Sequence, residues 1–271
     1  MRGWRAVLAA GTLCGLALSG PAAAQLGAAT QSPPPPGVAE GAGAANPKGH
    51  YGELDALPDW GGIWFLQRGD PTTGPAPQPK LKGDYLARYQ AWRENAANND
   101  GVVPRTRSNC SPPGMPRIMR LAQYPYEFLF TPGRITINQE AWMQTRTIWT
   151  DGREHPPIEE LDPTFMGHSI GHWEGDTLVA DTIGINDQLE IDNGMPHSDQ
   201  FHLVERIRLV EPDMLENQMT ISDPEALEEP YQVTVRYRRD RYGELIEFQC
   251  AENDRNPVGE DGHTLHLPPE E

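Results

Sequence analysis

Basic residues are scarce in this chain. Over 271 residues, 22 Lys+Arg stand against 39 Asp+Glu, a formal charge of −17. So acidic a surface repels phosphate backbones, which argues against nucleic acid as a partner, and it disfavours an anionic membrane surface equally. Cysteine is scarcer still, with three in all, so this is no disulfide-dense scaffold. Long apolar runs are missing apart from one at the N-terminus. Also missing are a phosphate-cradling glycine loop ahead of a helix, a nucleophile elbow, a His-Glu-x-x-His and a Cys-x-x-Cys pair. No cofactor is expected on those grounds.

What is present begins with an export signal. Arg2 and Arg5 precede an uncharged apolar stretch from Ala6 to Leu18, and Pro21-Ala22-Ala23-Ala24 supplies small residues for cleavage before Gln25. At about 13 residues the stretch is too short to span a bilayer, which takes roughly 20. Residues 1–24 are therefore expected to be a signal peptide, and stable membrane insertion is not. Removing two arginines leaves a formal charge of about −19. The expected location is the periplasm or the outside of the cell.

Cys14 leaves with that leader, so Cys110 and Cys250 remain. An even count in an oxidising compartment predicts one disulfide. It would close a loop of about 140 residues and contribute roughly 3–5 kcal/mol on the chain-entropy account.

Residues 25–56 are rich in Ala, Gly and Pro, including Pro33-Pro34-Pro35-Pro36, and read as an extended tether with little to bury. A single domain is expected over residues 57–271. One short helix near its start is predicted over residues 84–93, with Asn98-Asn99-Asp100-Gly101 ending it. From Tyr126 onward the pattern is β. Strands are predicted over Glu127–Thr131, Arg134–Asn138, Ala141–Thr150, His168–Trp173, Thr177–Ile183, Phe201–Val210, Leu215–Ser222, Tyr231–Arg238 and Leu245–Cys250, with a further one at Gly61–Leu66. Turn signals such as Pro132-Gly133 and Glu174-Gly175-Asp176 separate them, and hairpin-length connections make neighbours antiparallel. The fold class is mainly β: an antiparallel barrel of about 8–10 strands. Gly62-Ile63-Trp64 entering the first strand is reminiscent of lipocalin-like barrels, where the tryptophan packs under the floor.

Three segments carry candidate chemistry. In Gly167-His168-Ser169-Ile170-Gly171-His172-Trp173, the two histidines share a face but lie about 13 Å apart along an extended strand, too far for one metal. No metal site is expected. Pairing across the following turn has two options. A three-residue loop sets Ser169 opposite Asp181, and a two-residue loop sets Ile170 there.

In Phe201–Val210, strict alternation puts Glu205 in the row of Phe201, Leu203, Ile207 and Leu209, with His202, Val204, Arg206 and Arg208 on the other face. A carboxylate in an apolar row is paired, hydrogen-bonded or protonated. It is either a tuned acid/base or half of an ion pair with Arg146 or Arg236. His197, Ser198 and Asp199 stand at the entrance of that strand; adjacency in sequence does not make a triad, and a capped loop is the plainer reading. The third segment runs from Arg146 to His155. Arg146 shares its strand face with Trp142, Gln144 and Ile148 and is suited to grip a carboxylate. His155, ahead of Pro156-Pro157, reads as loop.

Taken together, Cys110-Ser111-Pro112-Pro113-Gly114-Met115-Pro116-Arg117, Thr131-Pro132-Gly133, Asp151-Gly152-Arg153-Glu154-His155-Pro156, the run from Gly167 to Thr182 with its Gly-His-Ser-Ile-Gly-x-Trp-Glu-Gly-Asp-Thr pattern, Pro196-His197-Ser198 with Glu205-Arg206, and the run from Glu247 to Glu252 resemble a family of secreted bacterial proteins of uncharacterised function. The resemblance implies cysteines at the positions of Cys110 and Cys250, and an arginine often standing where this chain has His172. It therefore favours His168 and His197 as site residues, and it brings no reaction with it.

The expected function is a cofactor-independent enzyme of lyase, isomerase or hydratase type, working on a small organic molecule in a barrel pocket. His168 or His197 would move the proton and Glu205 would tune it. Arg146 would hold an oxygen, and Trp142, Trp173, His172 and Phe201 would line the pocket with it. The alternative is a carrier of small ligands without chemistry. Oligomeric state is not legible.

Overall fold

A computed structural model describes residues 52–69, 78–99, 110–192 and 194–250. Residues 1–51, which hold the expected leader and most of the expected tether, and residues 251–271 lie outside the described residues. Gly52–Leu54 forms a 3-10 turn and Leu54 is buried, so the packed domain reaches back at least that far.

Eleven strands are present among the described residues: β1 (Ile63–Leu66), β2 (Tyr126–Thr131), β3 (Arg134–Gln139), β4 (Gln144–Trp149), β5 (His168–Glu174), β6 (Thr177–Ile183), β7 (Glu190–Asp192), β8 (Met195–Pro196), β9 (His202–Glu211), β10 (Met214–Ser222) and β11 (Tyr231–Asp240). Among the described residues one α-helix, α1 (Gly83–Asn98), follows β1. Nine strands close into a barrel in the order β1-β11-β10-β9-β6-β5-β4-β3-β2, and β7 pairs with β8 outside it. A ring with an odd number of strands cannot alternate direction at every seam. The required parallel pair is β4 with β5, in register at Ile148–Ser169 and Trp149–Ile170. A parallel pair needs a long crossover, and residues 150–167 supply it. The other barrel seams are antiparallel.

The strand pattern expected from the sequence holds for the barrel with two corrections, and β7 and β8 are additional to it. Ala141–Thr150 becomes a strand only at Gln144, because Trp142 and Met143 both take left-handed backbone (φ 56° and 48°) and turn the chain first. Leu245–Cys250 forms no strand. The ring is already sealed by β11 on β1, so it offers no edge to pair with, and Ile246 stands 67% exposed. The disulfide is present, with Cα atoms 5.4 Å apart. It ties the proline-rich loop to the segment after the last strand rather than to a strand itself.

The core lies inside the barrel, where inward residues alternate with outward ones. Trp64 is fully buried, donates its indole N–H to the Trp60 carbonyl (2.9 Å), and is covered by the Arg239 guanidinium at 4.7 Å from the ring centre. Trp60 packs edge-on against Phe128, Phe130 and Trp173. A short 3-10 helix, Arg117–Arg120, brings Ile118 and Met119 into the core. Its carbonyls accept from buried side chains: Ile118 from Tyr126 (2.9 Å) and Gln139 (2.9 Å), and Met119 from Tyr237 (2.6 Å). Burial raises both phenols well above the ordinary tyrosine range, so they remain O–H donors.

The β5–β6 hairpin resolves the open register. Glu174 pairs with Thr177 across the two-residue loop Gly175-Asp176, and Ile170 pairs with Asp181. That register sends Asp181 to the outer face and sets Ser169 opposite Thr182 on the inner one. Gly171 is inward too. A Cβ there would stand 2.8 Å from Ile148 Cγ2 and 3.1 Å from the Val179 carbonyl, so the parallel seam closes only over glycine.

Candidate functional site

Two polar groups occupy opposite faces of the same strands. The inner one joins Arg146 on β4 to Glu205 on β9, reaching past the two strands between them. Their side chains are 3% and 0% exposed and the guanidinium and carboxylate oxygen are 2.5 Å apart. Arg146 also donates to Ser169 Oγ (3.2 Å) and Thr182 Oγ1 (2.9 Å), and Asn217 donates to the other Glu205 oxygen at 2.7 Å. A small space beside Arg146, lined in part by Ile118, Met119, Gln139 and Met166, has room for about a single water. This is a buried ion pair among the barrel's inward side chains, with Arg146 Nη1 left without a hydrogen-bond partner among the described residues.

The outer group sits on the wall made by β5, β6 and β9. His155 from the β4–β5 crossover, His168 from β5, Asp181 from β6 and His202 from β9 form one chain of contacts. His155 Nδ1 lies 2.8 Å from His168 Nδ1. His155 Nε2 lies 3.2 Å from Asp181 Oδ1, and His202 Nε2 lies 2.7 Å from the same oxygen. The Pro156-Pro157 pair after His155 holds it in extended backbone, which lays the crossover back over β5.

A carboxylate only accepts, so His155 donates from Nε2. In neutral His155 the Nδ1 is then a lone pair, and His168 must donate from its own Nδ1. His168 Nε2 is left as the basic nitrogen. Burial, the proximity of His155 and the charge of Arg153 push the His168 pKa down, in that order. His202 moves the other way, held up chiefly by its hydrogen bond to Asp181. For Asp181 burial is the largest influence and opposes ionisation. Hydrogen bonds and charge from His202 and His155 together outweigh it and hold the carboxyl below its usual range. Arg153 itself stacks on Trp149 at 3.7 Å and chelates Asp151 through two nitrogens (2.9 and 2.6 Å).

These donors do not surround a common point. His155 spends its two ring nitrogens on different neighbours, and among the described residues no group of three or more His, Cys, Asp or Glu side chains is arranged to hold a metal ion.

The residues expected to line one pocket stand apart. His197 is 1% exposed, its Nδ1 lies 2.7 Å from the Ser198 carbonyl, and burial lowers its pKa. Phe201 packs on its ring at 4.7 Å. Ser198 Oγ donates to Asp223 rather than to His197 (2.7 Å). Trp173 belongs to the aromatic core around Trp60. Trp142 leaves the face of Arg146 at the left-handed turn and packs with Tyr124 and Phe248. His172 is exposed on the outer wall, 3.3 Å from Glu174. Of the sequence candidates, Arg146 and Glu205 meet inside the barrel, and only His168 joins the outer chain. His155, Asp181 and His202 were not singled out by sequence. The two-residue turn could have placed Asp181 outward beside Ile170, but the return of His155 depends on the crossover.

The chain matches no model of a known protein family and no curated protein.

Proposed function

We propose that the protein is an extracytoplasmic, cofactor-independent enzyme that acts on a small organic molecule by acid/base chemistry of the lyase, isomerase or hydratase kind, with His168 as the proton-transferring group. One observation carries this reading: the Asp181–His155–His168 chain, which assigns every ring proton and leaves His168 Nε2 basic. When Nε2 takes a proton from substrate, Nδ1 passes its own to His155. The charge then comes to rest beside Asp181. A base kept proton-poor by burial, with a relay to a histidine that an oriented carboxylate holds, suits general base catalysis. The proposed site is on the outer wall, and the inner Arg146–Glu205 ion pair is read as structural. The disulfide fits an oxidising compartment.

The test uses a panel of enolisable ketones, β-hydroxy ketones and enones in deuterium oxide. Wild type should exchange α-protons or interconvert panel members, and His168→Gln should lose that by about 10²–10⁴-fold with an unchanged unfolding midpoint. Equal rates for both proteins would overturn the reading.

A further inference from the structure

His155, His168, Asp181 and His202 contain a second proton donor that a single-base reaction does not use. Building on the acid/base reading above, we infer that His202 is the catalytic acid opposite His168, and that the reaction is the loss or addition of water next to a carbonyl, with a β-hydroxy ketone as the substrate class.

The geometry places both rings on one rung of the wall. His168 faces Ile183 across the β5–β6 pair. The β6–β9 register runs to Thr182–Leu203, and one step further sets His202 beside that same Ile183. Two strand spacings of about 4.8 Å separate their backbones, and His155 and Asp181 lie along the line of contacts between the rings. A single carboxylate oxygen, Asp181 Oδ1, joins them: directly to His202 and through His155 to His168. His202 spends Nε2 on Asp181, which leaves Nδ1–H of its charged form as the proton to give.

The environments then separate their tasks. Burial with nearby positive charge keeps His168 proton-poor, and the carboxylate contact keeps His202 proton-rich. Two titratable groups pushed in opposite directions mark the base and the acid.

The chemistry follows from what each proton does. An isomerase can return the proton with the base that removed it and needs no second group. Hydroxide leaves poorly unless it is protonated as it departs. In the proposed step, His168 Nε2 takes the hydrogen from the carbon beside the carbonyl. The C–H electron pair becomes the new C=C bond, the C–O bond breaks, and the departing oxygen takes a proton from His202 and leaves as water. One proton is gained by His168 and one lost by His202, so the pair returns to its starting state by proton exchange with solvent. Imidazole is too weak a base for a carbon beside a carboxylate, which is why a ketone is required.

The test follows α-proton exchange and water release separately by NMR, using β-hydroxy ketones of graded chain length in deuterium oxide. Wild type should do both and His168→Gln neither. His202→Gln should keep the exchange and lose water release by about 10²-fold or more, a split that a merely structural role would not produce. Unchanged water release in His202→Gln, or equal loss of both reactions, overturns the inference. A wild type that exchanges protons without releasing water also overturns it and leaves the acid/base reading standing. A wild type that does neither overturns both.

Discussion

The Nδ1 atoms of His155 and His168 face each other at 2.8 Å, so one of them carries a proton and the other a lone pair. Asp181 decides which. It requires a proton on His155 Nε2, and the neutral pair then has one consistent arrangement. Asp181→Asn replaces that acceptor with a group that can donate and frees the chain to reverse. Activity with any panel substrate should fall by about 10²-fold or more, the scale expected when a base is held in the wrong tautomer. An Asp181→Asn variant with wild-type rates would show that the orientation of His155 does not matter.

The inner pair makes the opposite forecast for Glu205. Removing one partner of a buried ion pair strands the other charge, at a cost of about 3–5 kcal/mol. Glu205→Gln leaves Arg146 without its counter-charge behind a fully buried side chain. Urea unfolding should show a loss of that size, while the folded fraction keeps its proton-transfer rate. A variant as stable as wild type but catalytically dead would return Glu205 to the chemistry.

His202 and Asp181 should tie stability to pH. The raised His202 contributes stability that is fully present below its ordinary value of 6.5 and is lost as pH rises through its higher folded value. The lowered Asp181 contributes above its ordinary value of 3.8 and loses that as pH falls through its lower folded value. The pair is therefore worth most between those limits. With side chains 41% and 36% exposed, solvent screening keeps it near 0.2–1 kcal/mol. Thermal melts of His202→Gln should fall below wild type near pH 5–6 and converge with it in alkali, the window set by these two directions. A constant gap across pH would contradict the pairing.

Cys110 and Cys250 close a loop of 140 residues. Replacing both by serine should cost roughly 3–5 kcal/mol, measured as a drop in unfolding midpoint that reductant reproduces in wild type. Reductant without effect on wild type would mean that the link adds nothing to the folded chain.

Much of the barrel was legible because alternation is a local signal. Thr177–Ile183 and the Glu205 row read directly from period two, and Trp64 from its glycine-led strand. The parallel seam was not legible. Nothing in residues 150–167 says that the chain crosses over instead of turning back; closure of an odd ring requires it. Leu245–Cys250 misled because its composition suits a strand, whereas pairing depends on a free edge. The site divided in the same way. Glu205 announces its burial by its neighbours, and Arg146 is one of the two partners that the sequence offers it. His155 was hidden because its meaning lies in a contact thirteen residues away in sequence, made by a crossover with no repeating pattern.

The most direct measurement is heteronuclear NMR of the histidine ring nitrogens in neutral solution, with His168→Gln and His155→Gln used for assignment. Neutral His168 is expected to carry its proton on Nδ1 and a lone pair on Nε2, the less common imidazole form, with His155 protonated on Nε2. Neutral His168 found with its proton on Nε2 would leave no basic nitrogen for substrate and would contradict the account.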